Sequence, residues 1–209
     1  MTVLYQSFFD EPFSEQERNA LMAGMPDTIT DRMRKFVRWQ DSSAFLVSRY
    51  LLQLALHDFA IDENLDQLKL SRYGRPFIDD RIDFNISHTD NFVACIASDA
   101  TIVGVDVEKI KSIDIACFKK HFENEWSTIS SDPKPLDCFY KYWTLKEAIA
   151  KANGKGMHLP FNKIRITSAT GFLDGTLYHV RSETPRNGYT MATASESPIG
   201  ELTLKIISV

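Results

Sequence analysis

The chain has 209 residues, a formal net charge of −4 and an apolar fraction of 44%. This length accommodates one large domain or two small ones around a sizeable core. The weak negative charge excludes a whole-surface attraction for nucleic acid or membranes, so a cationic site would have to be local. We therefore expect no nucleic-acid or membrane partner, and a monomer.

Two further features bear on location in the cell. The apolar runs are too short to span a membrane, and residues 1–18 lack the character of a signal peptide. Cys95, Cys117 and Cys138 are odd in number, widely separated and without metal-site spacing. The expectation is a cytoplasmic protein with reduced thiols.

The N-terminal region predicts a strand followed by two helices. Ser14 and Glu17 form a capping box that starts a helix to about Ala23. Asp41 is the expected N-cap of a long apolar helix over residues 43–59.

The most basic stretch of the sequence lies between those helices. Residues 32–39 include Arg32, Lys35 and Arg38. One interpretation is a solvated positive segment, and the other is a landing site for anionic phosphate groups.

A basic turn precedes the next strand. Tyr73-Gly74-Arg75-Pro76 predicts the turn. In the strand that follows, Phe84 and Ile86 share one face, so Ser87 points to the other, and His88 stands near its end. A structural imidazole and a phosphate contact both remain open for His88.

Residues 101–108 predict a strand with one acidic face. Gly104, Asp106 and Glu108 lie on that face. Exposed to water, the two carboxylates would repel only weakly. In a cleft they form a site for a hard cation such as Mg²⁺. Gly104 is expected to keep this face open to a ligand or to backbone.

A helix around residues 139–151 places Trp143, Glu147 and Lys151 on one face, because they are four residues apart. A solvated Glu147–Lys151 ion pair would contribute only about 0.2–0.5 kcal/mol. The alternative is a metal ligand or base beside a cation for phosphate. Gly154 is the expected end of the helix.

The remaining sequence predicts strands over residues 163–167, 177–181, 189–194 and 202–209, with a turn at 171–175. The order of elements predicts an α+β fold of two similar halves, 1–108 and 109–209. Each half is expected to pack a helix on a mostly antiparallel sheet, with a ligand cleft between them.

The motifs of several common sites are absent from the sequence, including the P-loop, the Rossmann fingerprint, GxSxG and HExxH. What stands out instead is three carboxylates, Asp106, Glu108 and Glu147, with several cations. This combination suits Mg²⁺, or Mn²⁺, bound to a diphosphate.

Four motifs together resemble a known family. Gly104-Val105-Asp106-Val107-Glu108-Lys109 is followed by Trp143-Thr144-Leu145-Lys146-Glu147 and Lys151. Tyr73-Gly74-Arg75-Pro76 and Phe84-Asn85-Ile86-Ser87-His88 precede them in matching order. The pattern over about residues 30–165 resembles the 4′-phosphopantetheinyl transferases of the larger, pseudo-dimeric branch, the type that activates surfactin synthetase.

The resemblance implies a reaction in the cleft between the halves. Coenzyme A would bind there, with Mg²⁺ on Asp106, Glu108 and Glu147 holding its pyrophosphate. A serine of an apo acyl or peptidyl carrier protein would attack the β-phosphate, and 3′,5′-ADP would leave. Glu147 is also a candidate base, and Lys151 would neutralise charge on the transferring phosphate.

The resemblance also implies residues that bind coenzyme A. Arg75 and His88 would hold nucleotide phosphates, and Ser87 with the turn of Tyr73, Gly74 and Pro76 would shape the adenine pocket. Lys155 would face phosphate or the partner. Arg32, Lys35 or Arg38 would hold the 3′-phosphate, because Ala44 stands where family members often carry a basic residue.

Residues 154–165 are the expected docking segment for an acidic carrier protein, which needs a local positive and apolar patch. The segment contains Lys155, Met157, Leu159, Phe161, Lys163 and Arg165. Two alternatives remain open: another Mg²⁺-dependent diphosphate enzyme, and a non-catalytic carrier-binding module. Carriers of fatty-acid, polyketide and nonribosomal peptide synthesis all stay candidates.

Overall fold

The computed structural model describes residues 1–62, 64–156 and 159–209. The strands are β1 (Thr2–Phe8), β2 (Lys69–Leu70), β3 (Pro76–Phe77), β4 (Asp83–Thr89), β5 (Phe92–Ser98), β6 (Val103–Lys109), β7 (Arg165–Thr167), β8 (Thr170–Leu173), β9 (Thr176–Glu183), β10 (Tyr189–Ser195) and β11 (Leu202–Ile206). The α-helices are α1 (Glu15–Met22), α2 (Asp27–Met33), α3 (Trp39–Asp58), α4 (Trp126–Ser131) and α5 (Pro135–Asn153). Among these helices none has the length and apolarity to cross a membrane.

The first sheet has the strand order β11-β1-β5-β4. β5 is antiparallel to both of its neighbours, whereas β11 runs parallel to β1. Every residue of β5 is buried, as expected for a central strand covered on both faces. Helix α3 packs on this sheet through a core that includes Leu51, Leu52 and Phe84.

The second sheet is antiparallel throughout, in the order β6-β10-β9-β8-β7. Helix α5 lies on it, and its buried face includes Leu145, Ala148 and Ile149. The two sheets, each with its own helix and core, confirm the predicted α+β architecture of two halves.

A third core cluster joins the halves. Leu4, Phe92 and Ile96 of the first sheet pack against Val105 and Met191 of the second. A polar seam runs beside this cluster, where alternate side chains of β4 accept hydrogen bonds from alternate backbone N–H groups of β6. The pairs are Asp83 with Val103 at 2.7 Å, Asn85 with Val105 at 3.0 Å, Ser87 with Val107 at 3.3 Å and Thr89 with Lys109 at 3.4 Å.

The predicted division at residue 108 falls inside β6, which pairs with β10 in the second sheet. Strand β11, from the end of the sequence, pairs with β1 in the first sheet. The chain therefore passes between the two sheets twice.

Several predicted boundaries were wrong: β7 begins at Arg165 instead of residue 163, and β11 ends at Ile206 instead of residue 209. Helix α3 begins at Trp39, so Asp41 lies in its first turn instead of capping it. A carboxylate there is still favourable, since it faces the positive end of the helix dipole. The turn predicted at 171–175 is shorter, because β8 runs to Leu173 and only Asp174 and Gly175 turn, both with positive φ. The capping box of Ser14 and Glu17 is confirmed.

Candidate active site

Helix α5 carries Glu147 and Lys151 on successive turns. Pro135 occupies the first turn, where its missing N–H costs no hydrogen bond. Gly154 ends the helix with φ of 82°, a left-handed conformation that glycine adopts without strain. The predicted stop at Gly154 is thus confirmed, and it fixes the length of helix beyond Lys151.

Gly104 lets α5 lie directly against β6. A Cβ added at Gly104 would collide with the carbonyl oxygen of Ala148 and stand 2.7 Å from the amide nitrogen of Ala152. Gly104 was expected to leave room either for a ligand or for backbone, and the structure shows the backbone of α5 in that space. This close approach brings the acidic face of β6 alongside Glu147 and Lys151.

Lys151 contacts the carboxylate and hydroxyl groups of the other elements. Its ammonium is 2.7 Å from Asp106 Oδ1 and 2.7 Å from Ser87 Oγ. Ser87 also donates to Asp106 Oδ1 at 3.0 Å. The ion pair of Lys151 is therefore with Asp106, and Ser87 lies at the acidic strand, not in the cavity of the Tyr73–Pro76 turn.

The three carboxylates are crowded in a partly desolvated region. Asp106 is 4% exposed. Burial, followed by the negative charge of Asp106, raises the pKa of Glu108 to about 7 and the pKa of Glu147 to about 7. The positive charge of Lys151 opposes both increases. An added cation would relieve this repulsion.

One observation indicates that the carboxylates Asp106, Glu108 and Glu147 suit a divalent cation. Asp106 Oδ2 is buried and has no hydrogen-bond partner among the described residues, an arrangement that is costly for a carboxylate oxygen. Oxygen donors of this type suit Mg²⁺. Within the same described residues, no three His, Cys, Asp or Glu side chains are already grouped to hold a metal ion.

A cluster of cations flanks helix α3. The guanidinium carbons of Arg49 and Arg32 lie 4.6 Å and 5.3 Å from the centre of the Phe45 ring. Arg49 Nε is buried and makes no hydrogen bond within the described residues. Burial, and then the charge of Arg32, lowers the pKa of Arg49.

His88 belongs to the same cluster. Desolvation of the imidazole lowers its pKa, and the positive charges of Lys151 and Arg49 lower it further. The negative charge of Asp41 opposes the shift. Lys35 and Arg38 are exposed in the preceding segment. Arg49 was not identified from the sequence. The available signal was a basic residue four positions after Phe45 in an apolar helix.

The Tyr73–Pro76 turn meets the C-terminal end of α5 around a cavity of about 170 Å³. Its lining consists of Tyr73, Gly74, Arg75, Pro76, Asn85, Lys151, Gly154 and Gly156. The guanidinium of Arg75 forms hydrogen bonds with Asp83 and with the carbonyl groups of Val103 and Ala152. Lys155 lies 3.9 Å from Asp174 and is 42% exposed.

A larger, mainly apolar cavity of about 420 Å³ opens beside Glu147. Its walls are Phe118, His121, Trp143, Leu159, Pro160 and Phe161. Buried Lys146 fixes two of these walls, since it donates at 3.1 Å to the carbonyl oxygens of His121 and Phe161. Lys146 is itself paired with buried Glu125 at 2.7 Å.

The predicted docking segment is polar at its surface. Lys163 and Arg165 are exposed, whereas Leu159 and Phe161 are buried against the core of the second half. Met157 and His158 lie outside the described residues. The exposed part of the segment is therefore basic, and its apolar part lines the larger cavity.

Comparison with known proteins identifies the family of the chain. A family model described as 4'-phosphopantetheinyl transferase superfamily matches residues 102–193, and one described as 4'-phosphopantetheinyl transferase, N-terminal, matches residues 11–100. The 4'-phosphopantetheinyl transferase Sfp of Bacillus subtilis (strain 168) is 30% identical over 169 residues, 78% of this chain and 75% of that protein.

The chain belongs to the 4'-phosphopantetheinyl transferase superfamily, of the Sfp type. The 4'-phosphopantetheinyl transferase gsp of Aneurinibacillus migulanus is 39% identical over 124 residues, 58% of this chain and 50% of that protein. The L-aminoadipate-semialdehyde dehydrogenase-phosphopantetheinyl transferase of Xenopus laevis is 30% identical over 155 residues, which are 65% of this chain and 50% of that protein. The two family models meet between β5 and β6, in agreement with a pseudo-dimer.

Proposed function

We propose that this enzyme transfers 4′-phosphopantetheine from coenzyme A to a serine hydroxyl of an apo carrier protein. The serine oxygen bonds to the β-phosphorus, the bond from that phosphorus to the bridging oxygen breaks, and 3′,5′-ADP leaves. The observation that carries the proposal is the meeting of Lys151 with Asp106 beside Glu108 and Glu147. Such a cluster of cation and carboxylates suits phosphoryl transfer.

Asp106, Glu108 and Glu147 would hold Mg²⁺, or Mn²⁺ in its place. When bound, the ion supplies positive charge to the pyrophosphate oxygens. Glu147 accepts the serine proton, since a carboxylate can act as a general base when it lies beside the reacting hydroxyl. Lys151 turns from Asp106 Oδ1 toward the phosphoryl group and keeps it oriented for attack.

The cations flanking α3 would bind the nucleotide end of coenzyme A. Arg49 has a buried donor without a partner in the described residues and lies near Arg32 and His88. A phosphate at this cluster would satisfy that donor and reduce the repulsion between the cations. We assign the 3′-phosphate to Arg49 and Arg32. At the position where family members often carry a basic residue, this chain has Ala44, which is buried.

The remaining parts of the proposal concern the partner and the cellular setting. Exposed Lys163 and Arg165, with Lys155, would contact an acidic carrier protein. The enzyme would act as a cytoplasmic monomer, without nucleic-acid or membrane partners.

The test is incubation of the protein with coenzyme A, Mg²⁺ and a panel of apo carrier proteins, scored by intact-mass spectrometry. The proposal expects a mass gain of one phosphopantetheine on at least one carrier and an equal amount of 3′,5′-ADP. Loss of coenzyme A without modified carrier would instead identify a diphosphate hydrolase. Carrier binding without turnover would identify a binding module.

A further inference from the structure

Arg75 is held almost entirely by the protein. The side chain is 13% exposed. Its Nη2 donates to the Asp83 carboxylate at 2.6 Å and to the Val103 carbonyl at 2.8 Å, with a longer contact to the Phe84 carbonyl at 3.4 Å. Its Nη1 donates to the Ala152 carbonyl at 2.9 Å and to the Lys151 carbonyl.

These contacts use the donors that a phosphate would need. A guanidinium has five N–H groups, two on each terminal nitrogen and one on Nε. The two on Nη1 have two protein acceptors, and the two on Nη2 have three. A bidentate phosphate contact would require Arg75 to release several of them, so the observed arrangement disfavours phosphate binding.

The five acceptors belong to three separate elements. Asp83 and Phe84 are in β4, Val103 begins β6, and Lys151 and Ala152 are in the last turn of α5. The last carbonyls of a helix have no intrahelical partner and need external donors. Arg75 donates to the carbonyls of Ala152 and Lys151, one turn after Glu147, and the Lys151 carbonyl also accepts from the Gly154 N–H at 3.1 Å.

Asp83 extends the same connection. Its Oδ2 accepts both from Arg75 at 2.6 Å and from the Val103 backbone N–H at 2.7 Å. The contact with Val103 is the first pair of the polar seam between β4 and β6. Arg75 therefore fixes the end of α5 relative to the seam that bears Ser87 and Asp106.

We propose that Arg75 is a positioning residue, which holds the C-terminal turn of α5 so that Lys151 and Glu147 lie opposite Asp106. The inference rests on the proposed transfer reaction. It differs from a phosphate-binding role because the guanidinium acts through the helix and makes no contact with coenzyme A.

The two roles predict different kinetics for Arg75→Lys. A lysine keeps the charge for a phosphate but lacks the planar fork that reaches acceptors on three elements. A positioning role predicts that kcat falls about 10- to 100-fold, because small displacements of reacting groups are costly. It also predicts that the Kd for coenzyme A, measured by calorimetry in EDTA so that Mg²⁺ held by Glu147 does not contribute, stays within about threefold.

A matched control lies a few residues later in the chain. Arg81 is 63% exposed and pairs with Asp79, so Arg81→Ala should leave both constants unchanged. Amide hydrogen exchange provides a readout that does not depend on turnover. In Arg75→Lys we expect faster exchange confined to the last turn of α5, with little change in α3.

Three results would overturn the proposal: a raised Kd for coenzyme A with kcat intact in Arg75→Lys, rescue of kcat by lysine relative to Arg75→Ala, or unchanged exchange in α5.

If Arg75 variants do not fold, Asp83→Asn is the second variant. It keeps an acceptor but removes the charge, and the same drop in kcat without a change in Kd is expected. Absence of carrier modification by the wild-type protein would refute the proposed function instead.

Discussion

At the scale of single residues, the contacts of Lys151 separate two interpretations that the sequence left open. Lys151 pairs with Asp106 and Ser87 across 45 and 64 residues of sequence. Helical spacing alone relates it to Glu147, four residues away. The sequence predicted the carboxylates and the lysine as candidate site residues, but it did not predict their partners, since those contacts depend on tertiary packing.

Lys151→Ala should lower kcat by about 100-fold or more, because a charge that faces the transferring phosphate is lost. Steady-state kinetics with coenzyme A and an apo carrier measure the effect. The control is Lys141→Ala, on an exposed turn of the same helix, which should retain wild-type turnover. A mild effect at Lys151 would show that its charge does not act on the transferring phosphate.

The carboxylates predict how stability depends on pH in the presence of a chelator. Glu108 and Glu147 have pKa values of about 7 in the folded protein against an ordinary value of 4.5. Between these values the folded chain retains protons that the unfolded chain has lost, so stability falls as pH rises through that window.

Thermal unfolding in EDTA should therefore show a lower Tm at about pH 8 than at about pH 5, by on the order of 5 °C. The Glu108→Gln, Glu147→Gln double variant should lose most of this difference. Mg²⁺ should raise the Tm of the wild type more at the higher pH. An equal slope in both proteins would assign the pH dependence to other groups.

At the scale of elements, the polar seam between β4 and β6 could not be predicted from the sequence. Asp83, Asn85, Ser87 and Thr89 alternate along β4, and the sequence predicted that Asn85 and Ser87 lie on the face opposite Phe84 and Ile86. What they contact is the backbone of β6, about 20 residues later in the chain. An alternating polar face normally indicates solvent, so the seam could not be inferred from periodicity.

Gly104→Ala tests the packing of α5 on β6. Its Cβ would overlap helix backbone at Ala148 and Ala152, and backbone cannot move aside as a side chain does. We expect a loss of about 3 kcal/mol in the free energy of unfolding, measured in urea. Gly200→Ala, where nothing lies within 4 Å, should change it by less than about 0.5 kcal/mol.

The buried ion pair of Lys146 and Glu125 is expected to stabilise the fold beside the larger cavity. Glu125→Ala leaves a buried ammonium without its anion, which should cost about 3–5 kcal/mol. Asp31→Ala removes an exposed partner of Arg34 and should cost no more than about 1 kcal/mol. Equal losses in urea denaturation would show that the buried pair is not stabilising.

At the scale of the whole molecule, the third core cluster makes the halves interdependent. Leu4, Phe92 and Ile96 contribute to it from the first sheet, and Val105 and Met191 from the second. The sequence predicted two halves, each with a helix packed on a sheet, as observed for α3 and α5. It did not predict that β6 joins the second sheet or that β11 joins the first, because strand partners are set by packing across distant residues.

One cooperative unfolding transition is expected for the described fold. Ile96→Ala should destabilise both halves together by about 2–5 kcal/mol. The measurement compares Trp39 fluorescence, in a Trp126→Phe, Trp143→Phe background, with calorimetry. Two separated transitions, or a shift confined to one half, would show that the halves fold independently.

The parallel pairing of β11 with β1 also sets an order of events during synthesis. Residues 2–8 are made well before residues 202–206, the strand that pairs with them in parallel. The edge of β1 that faces β11 therefore stays unpaired until residues 202–206 have been made, and an unpaired edge is a template for unintended contacts. The nascent chain should need protection at this edge until residues 202–206 are released.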